Sequence, residues 1–230
     1  MTRKEFIGMG SLAVVGTAIG SPKRGRIGSR RIFSKGESYQ FDSEVEYLEA
    51  TGTQWIDTGI VLNQSSTMEA RVRTDTPSSP GFFFVGSRID THSRGMTMQK
   101  TTAGMFITQF GTQQHDPQAA DNQWHVFRQD GRYFFFDGRL VHTYRAETFT
   151  TPYSLLVFGC RQAAGLQVVG QKQIAYLRIW HNGMIVRDFF AVRFTNELGQ
   201  TEGGLFDQIS GEVFRNNGSG EFLIGPDRGQ

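Results

Sequence analysis

Residues 173–193 read QIAYLRIWHNGMIVRDFFAVR, two strand-like runs on either side of Asn182-Gly183. Both residues of that dipeptide tolerate positive φ, which suits a two-residue hairpin turn whose twist matches antiparallel strands. In the first arm Ala175, Leu177 and Ile179 alternate with Tyr176, Arg178 and Trp180. One face is therefore apolar, and the other carries two aromatics and a guanidinium.

Outward from this hairpin the same grammar repeats. WHVFRQDGRYFFFDGRLVHTY (124–144) holds three runs of about six residues divided by Asp130-Gly131 and Asp137-Gly138, the spacing of a meander. Thr67 to Thr74 alternates, with Met68, Ala70 and Val72 to one side and Glu69, Arg71 and Arg73 to the other, as in a strand with one wet face. VEYLEA, QWIDTGIVL, FFFVGSR, GMFITQF and SLLVFGC add further strands, Met96 to Met98 a short one, and the tail closes with more around Ser210-Gly211 and Asn217-Gly218. Gly111 to Gln123 and the run RQAAGLQVVGQK read as connections. No segment carries a long helical period with caps. About a dozen short strands, 28 Gly and 20 Phe in 230 residues predict an all-β chain, a two-sheet antiparallel sandwich of jelly-roll type.

The N-terminal stretch is different in kind. Residues 1–20 combine a charged start, an apolar run FIGMGSLAVVGTAIG and a small-residue end, which predicts an export signal; the run is too short and Gly-rich for a stable membrane span. Residues 21–44, with clustered Arg, Lys, Gly and Ser, are expected to be a flexible basic linker, leaving 45–230 as the folded domain. Eight of the 24 Lys and Arg lie before Gly36 beside one acid, Glu5, so the remainder carries 16 basic against 21 acidic residues, a net of −5. A basic footprint for nucleic acid is thereby absent from the domain. The lone Cys160 excludes an intrachain disulfide and is expected to be a buried apolar residue.

Four segments, in order, resemble the laminin-G-like, concanavalin A-like lectin/glucanase jelly rolls of exported bacterial proteins. EYLEATGTQWIDTGI is similar to that group's TGTQYIDTGI opening, with Trp55 in place of the tyrosine. Trp124-His125-Val126 followed by FFFDG resembles its meander, IAYLRIWHNGMIVRDFFAV its hairpin, and GGLFDQISGEVFRNNGSGEF its ending. The resemblance runs from about Val45 to Pro226. The TRKEFIG start resembles a twin-arginine signal with Lys4 replacing the second arginine, so both that route and Sec stay open. The fold implied hosts lectins, enzymes and adhesion modules alike, so function must come from the site.

Glycoside hydrolases of this superfamily carry paired acids in a Glu-x-Asp-x-(x)-Glu pattern. Glu44, Glu46 and Glu49 come nearest but lack the intervening Asp, and are expected on a surface edge strand. No Gly-x-Ser-x-Gly elbow is present, and the five His are scattered, with His125 structural and His92 and His115 in loops. Calcium is a candidate cofactor through the loop acids Asp90, Asp116 and Asp121. Trp124 and Trp55 are expected in the core, and a buried Arg–Asp pair is expected among Asp57, Arg187, Asp188 and Asp207. The candidate ligand residues are Tyr176, Arg178 and Trp180, whose flat rings and guanidinium suit a glycan. The expectation is an exported (periplasmic or extracellular), non-catalytic, carbohydrate-binding domain whose partner is a glycan or a cell-surface protein. Alternatives are an adhesion module that binds no sugar and, third, a divergent glycosidase.

Overall fold

Asn182 (φ 49°) and Gly183 (φ 77°) form the predicted two-residue turn, with His181 paired to Met184 across it. Asp137 (φ 49°) and Gly138 (φ 78°) do the same between Phe136 and Arg139. The computed structural model describes residues 41–74, 81–90, 92–116 and 118–229; the expected export signal and residues 21–40 of the expected linker lie outside them.

The strands in chain order are β1 (Ser43–Glu44), β2 (Leu48–Ala50), β3 (Ile56–Asn63), β4 (Ser66–Arg73), β5 (Phe82–Ser87), β6 (Gly95–Lys100), β7 (Phe106–Gly111) and β8 (Gln113–His115). The meander follows as β9 (His125–Asp130), β10 (Tyr133–Phe136) and β11 (Arg139–Thr143), then β12 (Thr150–Val157), β13 (Cys160–Gln162) and β14 (Gly165–Gln167). The central hairpin is β15 (Lys172–His181) and β16 (Met184–Thr195), followed by β17 (Thr201–Asp207), β18 (Glu212–Phe214) and β19 (Leu223–Ile224). The described residues contain no helix, and none is long and apolar enough to cross a membrane.

Two sheets form the sandwich. The larger runs β11-β10-β9-β4-β15-β16-β17-β18, with β1 paired to β16 and β2 to β15 and β19; the smaller runs β14-β13-β5-β6-β7-β8, with β12 bridging β3 and β5. Among the described residues the ladders between strands are antiparallel, except the bridge between β13 and β5. The predicted alternation decides which faces meet. Met68, Ala70 and Val72 of β4, Leu177 and Ile179 of β15, Phe127 of β9 and Phe189 of β16 point inward against Phe84, Met96, Met98 and Phe106. Phe106 meets Phe127 edge to face at 5.1 Å, an arrangement that adds to simple area burial.

Three expectations change here. Order begins before Val45: Ser43 and Glu44 pair with Arg193 and Val192, and Phe41 packs on Phe190 and Phe206 at 5.8 and 4.9 Å. The apolar outer face of β16 and β17 gives that Phe a place to bury, so residues 41–44 belong to the domain rather than to the linker. The expected connections at 111–123 and 161–172 hold β8, β14 and most of β13, strands too short to show a period. Trp124 and Trp55 are half-buried rather than core residues. Trp124 shares the outward parity of Val126 and Arg128, and the inward position beside it is taken by His125, whose ring lies 4.7 Å from Phe136.

Candidate functional site

The outer face of the larger sheet brings Tyr176, Arg178 and Trp180 together on β15, half-buried, with β4 on one side and β16 on the other. Register makes a charge row of them. Arg178 stands opposite Glu69 of β4 and Asp188 of β16, and Glu69 stands opposite Arg128 of β9. The contacts run Asp130 to Arg128 at 2.9 Å, Arg128 to Glu69 at 3.4 Å, Glu69 to Arg178 at 3.6 Å and Arg178 to Asp188 at 3.0 Å. Three carboxylates and two guanidiniums thus alternate across four strands and leave the row with one net negative charge.

The protonation equilibria reflect this row. Burial works against the charged Arg178, but Asp188, Tyr176 and Glu69 outweigh it and raise its pKa; Asp130 and Glu69 do the same for Arg128. Asp130 is held low, against burial, by the hydrogen bonds of Arg128 and Thr67. Burial first, then Glu69, pushes the Tyr176 hydroxyl up to about 12; that hydroxyl donates to Glu69 Oε1 at 3.2 Å. The Arg128 guanidinium lies 5.3 Å from the centre of the Trp180 ring and that of Arg178 4.9 Å from Tyr176, so both rings are held by cation–π contacts.

One strand repeat along β4 the same face becomes a cleft of about 210 Å³ lined by Glu46, Arg71, Trp124, Arg228 and Gly229. Arg71 stands opposite Tyr176 in the ladder, so cleft and charge row are continuous. The Arg71 and Arg73 guanidiniums each lie 5.0 Å from the Trp124 ring centre, and Tyr47 closes on Trp124 at 5.8 Å. The far wall is the C-terminal segment, tied down by Glu46 N–H donating to Pro226 O at 2.8 Å and by the ion pair of Arg228 with Glu44.

The other expected residues fall elsewhere. Glu44 is occupied by Arg228, and Glu49, expected at the surface, is buried on β2 and accepts from Gln171 and from Gln173 at 2.6 Å; β2 is paired on both sides, so it is no edge. That leaves Glu46 alone of the three in the cleft. Arg187 lies 3.6 Å from the fully buried Asp207, the expected pair, and Asp207 also accepts from the N–H groups of Asp188, Ile209 and Ser210. His125 is clamped between Asp121 and Asp137 at 2.8 Å each. His115, expected in a loop, lies on β8 and stacks on His142 of β11 at 4.1 Å, where the two sheets meet. Asp90 and Asp121 cap the N–H groups of His92 and Gln123, and among the described residues no three His, Cys, Asp or Glu converge to hold a metal ion. Cys160 is buried, its thiol pushed up to about 12 by burial.

No known protein family matches the sequence, and neither does any curated protein. Among solved structures, a candidate carbohydrate-binding protein of Bacteroides ovatus ATCC 8483 superposes with a TM-score of 0.51 at 13% identity, covering 80% of this chain and 61% of its own. The chain therefore spans about three-fifths of that protein, and the likeness supports the sandwich fold. The botulinum neurotoxin DC binding domain, solved with rat synaptotagmin II, matches at TM-score 0.38 and 8% identity over 74% of this chain and 56% of its own. An uncharacterised protein of Mycobacterium paratuberculosis matches at 0.34 and 15% identity over 62% and 98%.

Proposed function

We propose that this chain is an exported, non-catalytic carbohydrate-binding module of the laminin-G-like, concanavalin A-like type, working in the periplasm or outside the cell. Its ligand face is the outer surface of the larger sheet around Tyr176, Arg178 and Trp180. The observation that carries the reading is the charge row: it fixes two aromatic rings and their flanking guanidiniums in one half-exposed plane. A sugar docking there loses its own freedom but orders few protein side chains, which favours binding. The Bacteroides ovatus neighbour supports a binding role on this kind of fold. Against hydrolysis, Glu44 is tied up by Arg228 and Glu49 is buried among glutamines, so the three acids do not form a facing pair.

A second reading, adhesion through protein contacts, is favoured by the edge strand β11, where Leu140 and Val141 are 53% and 42% exposed. A glycan array probed with the full chain, with calcium and with a chelator, separates the two. Binding that disappears in Trp180→Ala supports the glycan face, and chelator sensitivity would add calcium as a cofactor. Silence across the array would overturn the sugar reading in favour of a cell-surface protein partner.

A further inference from the structure

The guanidiniums of the outer face differ in one respect. Arg128 and Arg178 are each held by two carboxylates, and Arg228 at the cleft wall by Glu44. Arg71, which lies between the charge row and that wall, is half-buried, and among the described residues no carboxylate pairs with it. Its plane is held by Trp124, while its N–H fork has no partner side chain among the described residues. A guanidinium fixed by stacking and left with its fork open matches a planar carboxylate bidentately.

The other walls narrow the ligand further. Glu46, exposed, supplies acceptor oxygens of the kind that receive sugar hydroxyls, and Trp124 and Tyr47 supply ring surface for an apolar C–H face. Glu46 and the net charge of −5 on the chain after residue 35 also disfavour a ligand of high negative charge, such as a polysulfate or polyphosphate. One carboxylate per sugar balances Arg71.

We infer that the cleft of Glu46, Arg71, Trp124 and Arg228 binds a hexuronic acid residue of an acidic glycan, its carboxylate on Arg71 and its hydroxyls on Glu46. This rests on the proposal that the outer face binds carbohydrate and names the class of sugar at its end.

The test is calorimetric titration of the full chain with trigalacturonic acid and with its neutral methyl ester. The wild type should bind the acid at least about tenfold more tightly than the ester, the discrimination a charge-assisted pair supplies. Arg71→Gln should weaken the acid by a similar factor and leave the ester unchanged, and Arg71→Lys, which keeps the charge without the fork, should recover only part of the loss. Equal binding of acid and ester, or acid binding that survives Arg71→Gln, would overturn the inference. If neutral glycans then bind through Trp180, the acidic class alone is wrong. If neither acid nor neutral sugars bind, the glycan face itself fails and the inference with it.

Discussion

Lys172 offers a sharp test of the fold's electrostatics. The side chain is fully buried where β15 begins, and its amine donates to three carbonyl oxygens, those of Val168 at 3.4 Å, Val169 at 2.9 Å and Gly170 at 3.3 Å. The Phe82 ring lies 5.5 Å from it, with the Lys100 amine 5.5 Å from the same ring. Burial brings the Lys172 amine from 10.5 down to about 7. In the unfolded chain the amine keeps its ordinary affinity, so between about pH 7 and 10.5 the unfolded state holds a proton that the folded state has released. Stability then rises with pH across that window, and below about pH 7 the full cost of burying the ammonium is present.

At about 1.4 kcal/mol per tenfold change in proton affinity, the interval amounts to about 5 kcal/mol. The three carbonyls stabilise the ammonium, so this is an upper limit. Lys172→Met keeps the stem beside Phe82 and removes the titration, while depriving the three carbonyls of their donor at a cost of about 1–2 kcal/mol. Urea unfolding of both proteins from pH 6 to 10 is the assay. The variant should match or exceed the wild type near pH 6 and fall below it near pH 10, because the difference isolates this one amine. Parallel stability curves across the whole range would refute the reasoning.

Two further substitutions probe the frame that carries the face. Asp207→Ala removes a fully buried carboxylate that accepts from three backbone N–H groups and pairs with Arg187, and should cost about 3–4 kcal/mol, read as a thermal midpoint about 10 °C lower. Phe41→Ala strips the half-buried ring from Phe190 and Phe206 and should cost about 1–2 kcal/mol in urea unfolding; an unchanged midpoint would mean that residues 41–44 contribute nothing to the domain.

The parts of this architecture that were legible in the sequence are those with local causes. Asn182-Gly183 and Asp137-Gly138 declare their turns because few other residue pairs adopt positive φ there, and the Met68/Ala70/Val72 alternation declares which side of β4 is wet. Strands of three residues, such as Cys160–Gln162 and Gly165–Gln167, leave no alternation to read. Motif resemblance points Trp124 to the core, whereas its parity with Val126 and Arg128 puts it on the outer face. The charge row was beyond reach for another reason. Tyr176, Arg178 and Trp180 share a face by period two, but that Glu69 and then Arg128 stand opposite Arg178 depends on register across three strands far apart in the chain. The cleft adds a tail residue, Arg228, whose position depends on its pairing with Glu44, 184 residues away.

One sheet face is built in two ways, and the boundary between them bears on function. Beyond Asp188, the outer surface of β16 and β17 is apolar, with Phe190, Val192 and Phe206 covered by Phe41 and Val213. Across β9, β4 and β15 it is a lattice of ions and rings that the fold leaves half open. The two meet at one cross-strand pair, Tyr176 opposite Phe190. Ion pairs of this kind add little net stability, since desolvation offsets much of their attraction, and apolar side chains under a cover would hold the same strands as firmly. The neighbouring half of the face uses that apolar solution. Stability therefore does not account for the ionic half, whereas a surface that must stay wet, rigid and ready for a polar ligand does. If this face binds a glycan as proposed, Glu69→Gln should cost at most about 1 kcal/mol in unfolding, because Arg128 keeps Asp130 and Arg178 keeps Asp188, yet weaken glycan binding several-fold, since it removes the one carboxylate that links the two guanidiniums. The opposite pattern, a large loss of stability with binding intact, would make the row structural.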